Sequence, residues 1–477
     1  MIHGHRVDQK DVQGNILCGY GNDFRYGLYL FVRIQGARAG RKWLRKLLPD
    51  VTTAEPWRPQ HNKPLETLNV AFTHKGLKRL GLPRKLLDTF PEEFRAGMKR
   101  RAEFLGDTGA SDPNGWERAL RSPHAVVVVT TRYENLRSIR EKALREQIDS
   151  YHGDLEIAHT ERAGLLTHPH HDEVFAREHF GFADGFSQPA IRGNGGPDTR
   201  WGMGVPRRLG WWTALAPGEF VLGYAGEDKL LPQAPAAPIG DSGSFMVLRK
   251  LHQDVAAFRA YLRKTAEHQL ERDPHRDEKL AETERVVAAK MIGRWYDGRS
   301  LMQSSEPLVS DKQLQKLRKK INRFRYLGYL WHKGDPDGFA CPLGAHVRRA
   351  NPRDALGWNG KLTKRHRIVR RSMPFGDPFD PDQDEDADRG LIFVCYQASI
   401  ARQFEVIQSR WLKDGDAFWL GGERDALSMS TGMTVQGKTS PTYLAPTAQP
   451  FVTTRGGGYF FAPGLTALQA IASAYWR

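Results

Sequence analysis

Two stretches of this chain share one pattern: Gly27-Leu-Tyr-Leu-Phe-Val-Arg33 and Gly243-Ser-Phe-Met-Val-Leu-Arg249. In each, a glycine opens a short apolar run, an arginine closes it, and an amphipathic basic segment follows. After the first, Trp43, Leu44, Leu47 and Leu48 recur at helical spacing. A strand leading into a helix, met twice, predicts a chain built from two related halves. The length agrees, because 477 residues exceed what one hydrophobic core usually serves.

Further strands are predicted over Asn69 to Thr73, Ala125 to Thr131, Phe220 to Tyr224, Arg367 to Arg371 and Leu391 to Tyr396, and helices over Tyr133 to Tyr151 and Val255 to Lys264. Strands and helices mix without strict alternation, which favours an α+β fold over a doubly wound parallel sheet, and two ferredoxin-like halves satisfy the order. The aperiodic Gly-, Pro- and Trp-rich stretch from Gly193 to Gly218 is the natural joint. The expected division is therefore 1–195, a linker over 196–218, and 219–477. Glu271 to Lys290 reads as a charged helical insertion, and the acidic, proline-broken run Asp377 to Asp388 as surface.

The longest apolar runs, such as those beginning at Ala125 and Leu391, fall far short of the roughly 18 residues that a membrane helix needs. The N-terminus has no apolar segment of the kind a secretory signal carries. Three scattered cysteines, Cys18, Cys341 and Cys395, make no disulfide framework. Together these features predict a cytoplasmic protein. A net charge of +16 favours anionic ligands, but no nucleic-acid motif accompanies it, and interleaved Lys and Arg on helices usually form a solvated face.

Three segments could carry chemistry. Gly181-Phe-Ala-Asp184-Gly185 sets an acid between glycines that let the backbone turn sharply and leave the carboxylate uncrowded; an ordinary Asp-Gly turn would use the same residues. In Cys341-Pro-Leu-Gly-Ala-His346-Val-Arg348-Arg349-Ala-Asn351-Pro-Arg353, an imidazole able to ligate iron stands beside guanidinium groups able to hold carboxylates. A packed histidine would look the same. In His366-Arg-Ile-Val-Arg370-Arg371-Ser372, cationic positions alternate with apolar ones, as on an edge strand. If Arg370 instead faces a pocket, its fixed charge can stabilise the oxygen that turns negative when a peroxide bond breaks.

Taken with Val12-Gln-Gly-Asn-Ile-Leu17, Asn69-Val-Ala-Phe-Thr-His-Lys-Gly-Leu77, Pro217-Gly-Glu-Phe-Val-Leu-Gly-Tyr224 and Lys290-Met-Ile-Gly-Arg-Trp295, these segments resemble the dye-decolourising peroxidase family along nearly the whole chain. The resemblance implies a pair of ferredoxin-like halves of the dimeric α+β barrel type, with one haem b per chain in the C-terminal half. It implies Asp184 as distal acid, Arg370 as distal arginine and His346 as axial iron ligand, with Arg348 and Arg349 near the haem carboxylates. Leu391 and Phe393, two apart on a strand and so on one face, resemble the family's apolar distal wall. Gln403-Phe404-Glu405 resembles the segment that lies against the haem, with Glu405 as the acid that bonds the proximal imidazole. Ser372 stands where the family has Asn or a small residue. Hydrogen peroxide and small aromatic electron donors are the implied substrates, and a homo-oligomer is compatible. Trp211 and Trp212 are possible electron relays or packing anchors.

Two rival sites are also legible. His168, His170, His171, Asp172 and His179 offer enough ligands for a divalent metal, although their spacing matches no defined site. Cys341 could ligate haem as a thiolate and support monooxygenase chemistry. A haem carrier without catalytic activity is the third alternative.

Overall fold

The computed structural model describes residues 6–21, 23–57, 63–166, 176–194, 204–206, 212–304, 330–381 and 387–475. Its first half runs β1 (Tyr26–Ile34), α1 (Ala37–Leu47), β2 (Glu66–Phe72), β3 (Ala125–Thr131), α2 (Glu134–Asp149) and β4 (Leu155–Gly164). The second opens with β5 (Ser244–Gln253), α3 (Val255–Gln269) and α4 (Arg276–Ile292), followed by the short helix α5 (His346–Ala350). It continues through β6 (Val369–Arg370), β7 (Met373–Phe375), β8 (Gly390–Gln397) and β9 (Val452–Ala462) to α6 (Leu465–Ser473).

The two runs that read alike are β1 and β5, and their places in the sheet are equivalent. β1 lies between the third and fourth strands of its half, β3 and β4. β5 lies in the same way between β8 and β9. Each half thus has the strand order of a ferredoxin-like unit. The opening glycines have a packing reason: a Cβ on Gly27 would lie 2.7 Å from Met373 Sδ, and one on Gly243 2.7 Å from the Phe461 ring.

The halves join edge to edge. Phe461 of β9 pairs with Phe72 of β2, and Ala163 of β4 pairs with Phe375 of β7. With β5 bonded to β8, the strands close into a ring in the order β5-β9-β2-β3-β1-β4-β7-β8. Strand alternation then sorts the side chains. Tyr29, Phe31, Val128, Met246, Val394 and Phe460 share one core, contributed by both halves. Leu28, Leu30, Val247 and Phe461 face the other way and pack with Trp43, Leu44 and Leu47 of α1 and Leu468 of α6. No helix among the described residues is long and apolar enough to cross a membrane.

Three expected elements differ. Phe220 to Tyr224 is a buried turn: Phe220, Val221 and Leu222 are fully buried, but Gly223 has φ +86° and breaks any extended run. The supposed insertion is helix α4, whose Val287, Ala288 and Met291 are buried in one core with Phe258 and Leu262 of α3. Of the linker, Val205–Pro206 and Trp212–Thr213 form a small hairpin. Trp211 and the side chain of Trp212 lie outside the described residues.

One buried cation ties the two halves together. Lys250 of β5 places its Nζ 2.8 Å from Glu117, 2.8 Å from Glu161 of β4 and 3.0 Å from Asp388. Burial opposes its charge, but the hydrogen bonds and charges of Glu117 and Glu161 outweigh it and hold the ammonium well above its usual range. Glu117, His159 and Glu161 have the spacing of a metal cluster, and the ammonium already bridges their carboxylates. Replacing Lys250 with Met leaves Glu161 without its partner in a largely buried setting, while Glu117 and Asp388 keep contact with solvent, so unfolding stability should fall by about 1–3 kcal/mol, read from denaturant titration at neutral pH.

Candidate active site

The outward faces of β5 and β8 are not wholly covered by helices. Between this sheet, helix α5, the loop 176–188 and the helical stretch 401–412 lies a cavity of about 2070 Å³, part of it open to solvent. Leu391 and Phe393 of β8 form an apolar wall together with Phe404, whose ring centroid lies 6.2 Å from that of Phe393. The stretch 401–412 is wound more widely than an α-helix, with Glu405 N donating to Ile400 O and Lys413 N to Gln408 O. Such segments are frequent at functional sites.

Asp184 and Arg370 meet at the cavity, with Oδ1 and Nη1 3.8 Å apart. Both are fixed through the backbone. Asp184 Oδ1 accepts from Gly185 N at 2.6 Å, in the turn that glycine at φ +86° permits. Arg370 Nη2 donates to Phe186 O at 2.6 Å, and Arg370 N donates to Gln188 Oε1 at 3.0 Å. The expected strand Arg367 to Arg371 narrows to Val369–Arg370 because the ladder opens there: Arg371 N still donates to Val394 O, but Val394 N donates to Ser372 Oγ at 3.2 Å. Ser372 itself lines the cavity.

His346 reaches the same cavity from the start of α5. Its Nδ1 is 2.8 Å from Asp425 Oδ1, and Ser428 Oγ donates to the other oxygen of Asp425 at 2.6 Å. Burial alone would depress the imidazole, but the charge and hydrogen bond of Asp425 outweigh it and raise its pKa. Asp425 is fully buried, yet His346 and Ser428 hold it below the usual carboxylate range. With Nδ1 engaged, Nε2 is the nitrogen left to the cavity.

The acid beside the imidazole is therefore Asp425 and not the expected Glu405. Glu405 is buried one residue round the helix from Phe404, where both its oxygens pair with Arg101 and Oε1 accepts from Tyr459 Oη at 2.9 Å. Arg348 and Arg349 also turn away. Successive helical residues are about 100° apart, so Val347 and Ala350 line the cavity while the two arginines point into protein. Arg348 pairs with Asp335 at 3.1 Å and bonds Cys341 O, and Arg349 donates to the carbonyls of Trp411, Glu423 and Asp414.

The arginines that do line the cavity are Arg249, Arg294, Arg353, Arg367 and Arg370, of which Arg249 is paired with Asp107 and Thr454. Burial, together with the charges of Arg353 and Arg370, depresses the Arg294 guanidinium to about 9. A site in which guanidinium groups repel one another inside a partly dry space is built for an anion. Cys341 is buried away from the cavity with its thiol pushed up to about 11 by burial, which removes the thiolate alternative. Of the histidine cluster, His168 to Asp172 lie outside the described residues, and His179 bonds Phe375 O at 2.7 Å with its pKa lowered to about 4 by burial.

Comparison with known proteins is consistent over both halves. Residues 11–157 match the family model described as DyP dimeric alpha+beta barrel domain, and residues 230–449 match Dyp-type peroxidase, C-terminal. A dye-decolorizing peroxidase of Mycena epipterygia is 30% identical over 98% of this chain and 88% of its own length. The chain belongs to the dye-decolorizing peroxidase family.

Other members of this family agree. The multifunctional dye peroxidase DyP2 of Amycolatopsis is 29% identical over 85% of this chain and 82% of its own. The solved structure of an ancestral D-type dye decolorizing peroxidase is 27% identical, with a TM-score of 0.78 over 97% of this chain and 99% of its own. This chain is thus a peroxidase of the dye-decolorizing family, whose members depend on haem. Sequence reading missed Asp425, Arg294, Arg353 and Arg367. Asp425 had no signal, whereas Arg294 stands inside the Lys290 to Trp295 segment, Arg353 closes the basic run that begins at Cys341, and Arg367 belongs to the His366 to Ser372 segment.

If Arg348 is a buried staple, Arg348→Ala should cost about 3–5 kcal/mol of stability in haem-free protein, because Asp335 loses its partner inside the fold. Urea denaturation measures it, and unchanged stability would mean that Arg348 serves a ligand instead.

Proposed function

We propose that this peroxidase binds one haem b in the cavity, with His346 as iron ligand, Asp184 and Arg370 as the pair that handles hydrogen peroxide, and small aromatic molecules as electron donors. One observation carries the reading: a carboxylate and a guanidinium 3.8 Å apart open onto the same cavity as an imidazole whose other nitrogen is taken by a buried acid. The donor set suits haem. His346 offers one neutral-ligand nitrogen, Leu391, Phe393 and Phe404 offer apolar contact, and Arg294, Arg353 and Arg367 suit the haem carboxylates by charge-assisted hydrogen bonds.

Bound haem supplies the iron that receives peroxide and the oxidising equivalents later passed to two one-electron donors. The chain's own residues manage protons and charge. Asp184, as carboxylate, takes a proton from one peroxide oxygen and hands it to the other as that oxygen leaves as water. Arg370 keeps its positive charge throughout and stabilises the negative charge that builds on the departing oxygen. Asp425 fixes the tautomer and direction of His346 and makes it a stronger donor. A solved family structure is described as a complex with 2,6-dimethoxyphenol, and a phenol of that class is the donor proposed for this chain.

Asp184→Ala and Arg370→Leu should each slow the peroxide reaction by about 10²-fold or more while the haem is retained, measured by stopped-flow absorbance. His346→Ala should strip or disorder the haem, whereas Cys341→Ala should leave its spectrum intact. Unchanged peroxide kinetics in both distal variants would sink the assignment.

A further inference from the structure

The loop that bears Asp184 is organised by a second carboxyl group. Glu178 accepts from Phe180 N at 3.0 Å on Oε2 and from Phe182 N at 2.9 Å on Oε1. Its backbone closes the same turn, with Glu178 N donating to Phe182 O and Gly181 N to Glu178 O. Gln253 Nε2 donates to Oε2 at 2.5 Å and so ties the loop to the end of β5. Phe182 is two residues from Asp184, whose own amide returns to Ala176 O at 2.8 Å. Whatever moves Phe182 therefore moves the carboxylate that faces Arg370.

Glu178 and Gln253 both line the cavity, and Gln253 is buried with its Oε1 lacking any hydrogen-bond partner. An amide can present either end, and the hydrogen-bond network decides which. With the nitrogen toward Glu178, the acid is an ionised acceptor and the amide oxygen is orphaned. With the amide turned over, Oε1 faces the acid and is satisfied only if Glu178 carries a proton. The orphaned oxygen, which costs free energy as long as it stays buried, makes the second arrangement a competitor of the first.

The surroundings set when each arrangement holds. Burial is the largest influence on Glu178, and although Gln253 and the two amides favour its charge, the carboxyl is raised to about 7, with the charge of Asp184 adding to the rise. Arg177 on the same loop spends its guanidinium on Gly181 O and Tyr296 O and has Asp297 as a further acidic neighbour. Tyr296, beyond α4, is itself pushed up to about 12 by burial and by Glu178, and is neutral near pH 7. His179 is neutral and turned toward Phe375. Gln253, the contact from β5, has no charge.

We propose that Glu178 is a proton-bearing positioning residue for Asp184: gain or loss of one proton, matched by turnover of the Gln253 amide, switches the loop between a held and a loosened state. The ionised form accepts all three donors and holds the loop. The protonated form gives one oxygen's hydrogen to Gln253 Oε1 and loosens the hold on Phe180. The proposal rests on the reading of Asp184 as the peroxide-handling acid, and its test separates the two.

The experiment compares wild type with Glu178→Gln, which cannot ionise, by two readouts. In haem-free protein, a carboxyl whose pKa is raised on folding keeps a proton that the unfolded chain has lost, so it costs stability as pH climbs from its unfolded to its folded value. The melting temperature of Glu178→Gln should therefore rise relative to wild type between about pH 5 and about pH 8 and level off above; a constant difference overturns the proton-bearing claim. In haem-loaded enzyme, the wild-type rate of reaction with peroxide should show a step near pH 7 that Glu178→Gln lacks, the variant keeping at alkaline pH the wild-type rate of the acid side. Parallel profiles overturn the positioning claim. Should Glu178→Gln fold poorly, Gln253→Leu replaces it: loss of the donor should move both wild-type steps to higher pH, and unmoved steps overturn the pairing. Asp184→Ala kinetics equal to wild type would instead fault the reading of Asp184 and leave the melting result standing.

Discussion

A sheet that closes on itself fills its inside with its own side chains and leaves its outside to be covered by something else. Here closure depends on two narrow seams, Phe461 with Phe72 and Ala163 with Phe375, each joining one half to the other. Neither half could hide its inward row alone, since Met246, Val394 and Phe460 pack in one core with Tyr29, Phe31 and Val128. On the outside the halves diverge. The first is roofed by α1 and α2, while the second keeps a gap between β8, α5 and the wide helix 401–412. The candidate site occupies the part of the duplicated barrel that is left unroofed.

Charge, more than shape, defines what that gap can hold. Arg294, Arg353, Arg367 and Arg370 converge on it, and burial, with the charges of Arg353 and Arg370 adding to it, depresses Arg294. Arg348 and Arg349, by contrast, are satisfied by carbonyls and by Asp335 and add little attraction for a ligand. The difference is one of direction: Arg348 and Arg349 point into protein, whereas Arg294, Arg367 and Arg370, also held by Gly298, Ser187 and Phe186, present themselves to the cavity.

What the sequence made legible divides along the same line. The repeat of β1 and β5 was visible because a strand needs only a glycine, an apolar run and a closing arginine. Asp184, Arg370 and His346 were visible because each stands in a short run whose neighbours constrain it. The direction of a side chain on a five-residue helix is not written in adjacency, so Arg348 and Arg349, next to the iron-ligand candidate, were assigned to a ligand that they turn away from. Asp425 lies 79 residues from His346 and carries no local mark. Glu405 stands in a segment of the expected kind, but it spends its charge on Arg101 and Tyr459. The two ring-closing pairs are single contacts between distant edges, and no periodicity announces them.

The three carbonyl bonds of Arg349 have a consequence for assembly. They pin the helix that begins with His346 to Trp411, Asp414 and Glu423, the last only two residues before Asp425. The imidazole and its acid are thereby brought together by a cross-brace of main-chain carbonyls. A change at Arg349 would therefore reach the His346–Asp425 pair without touching either residue.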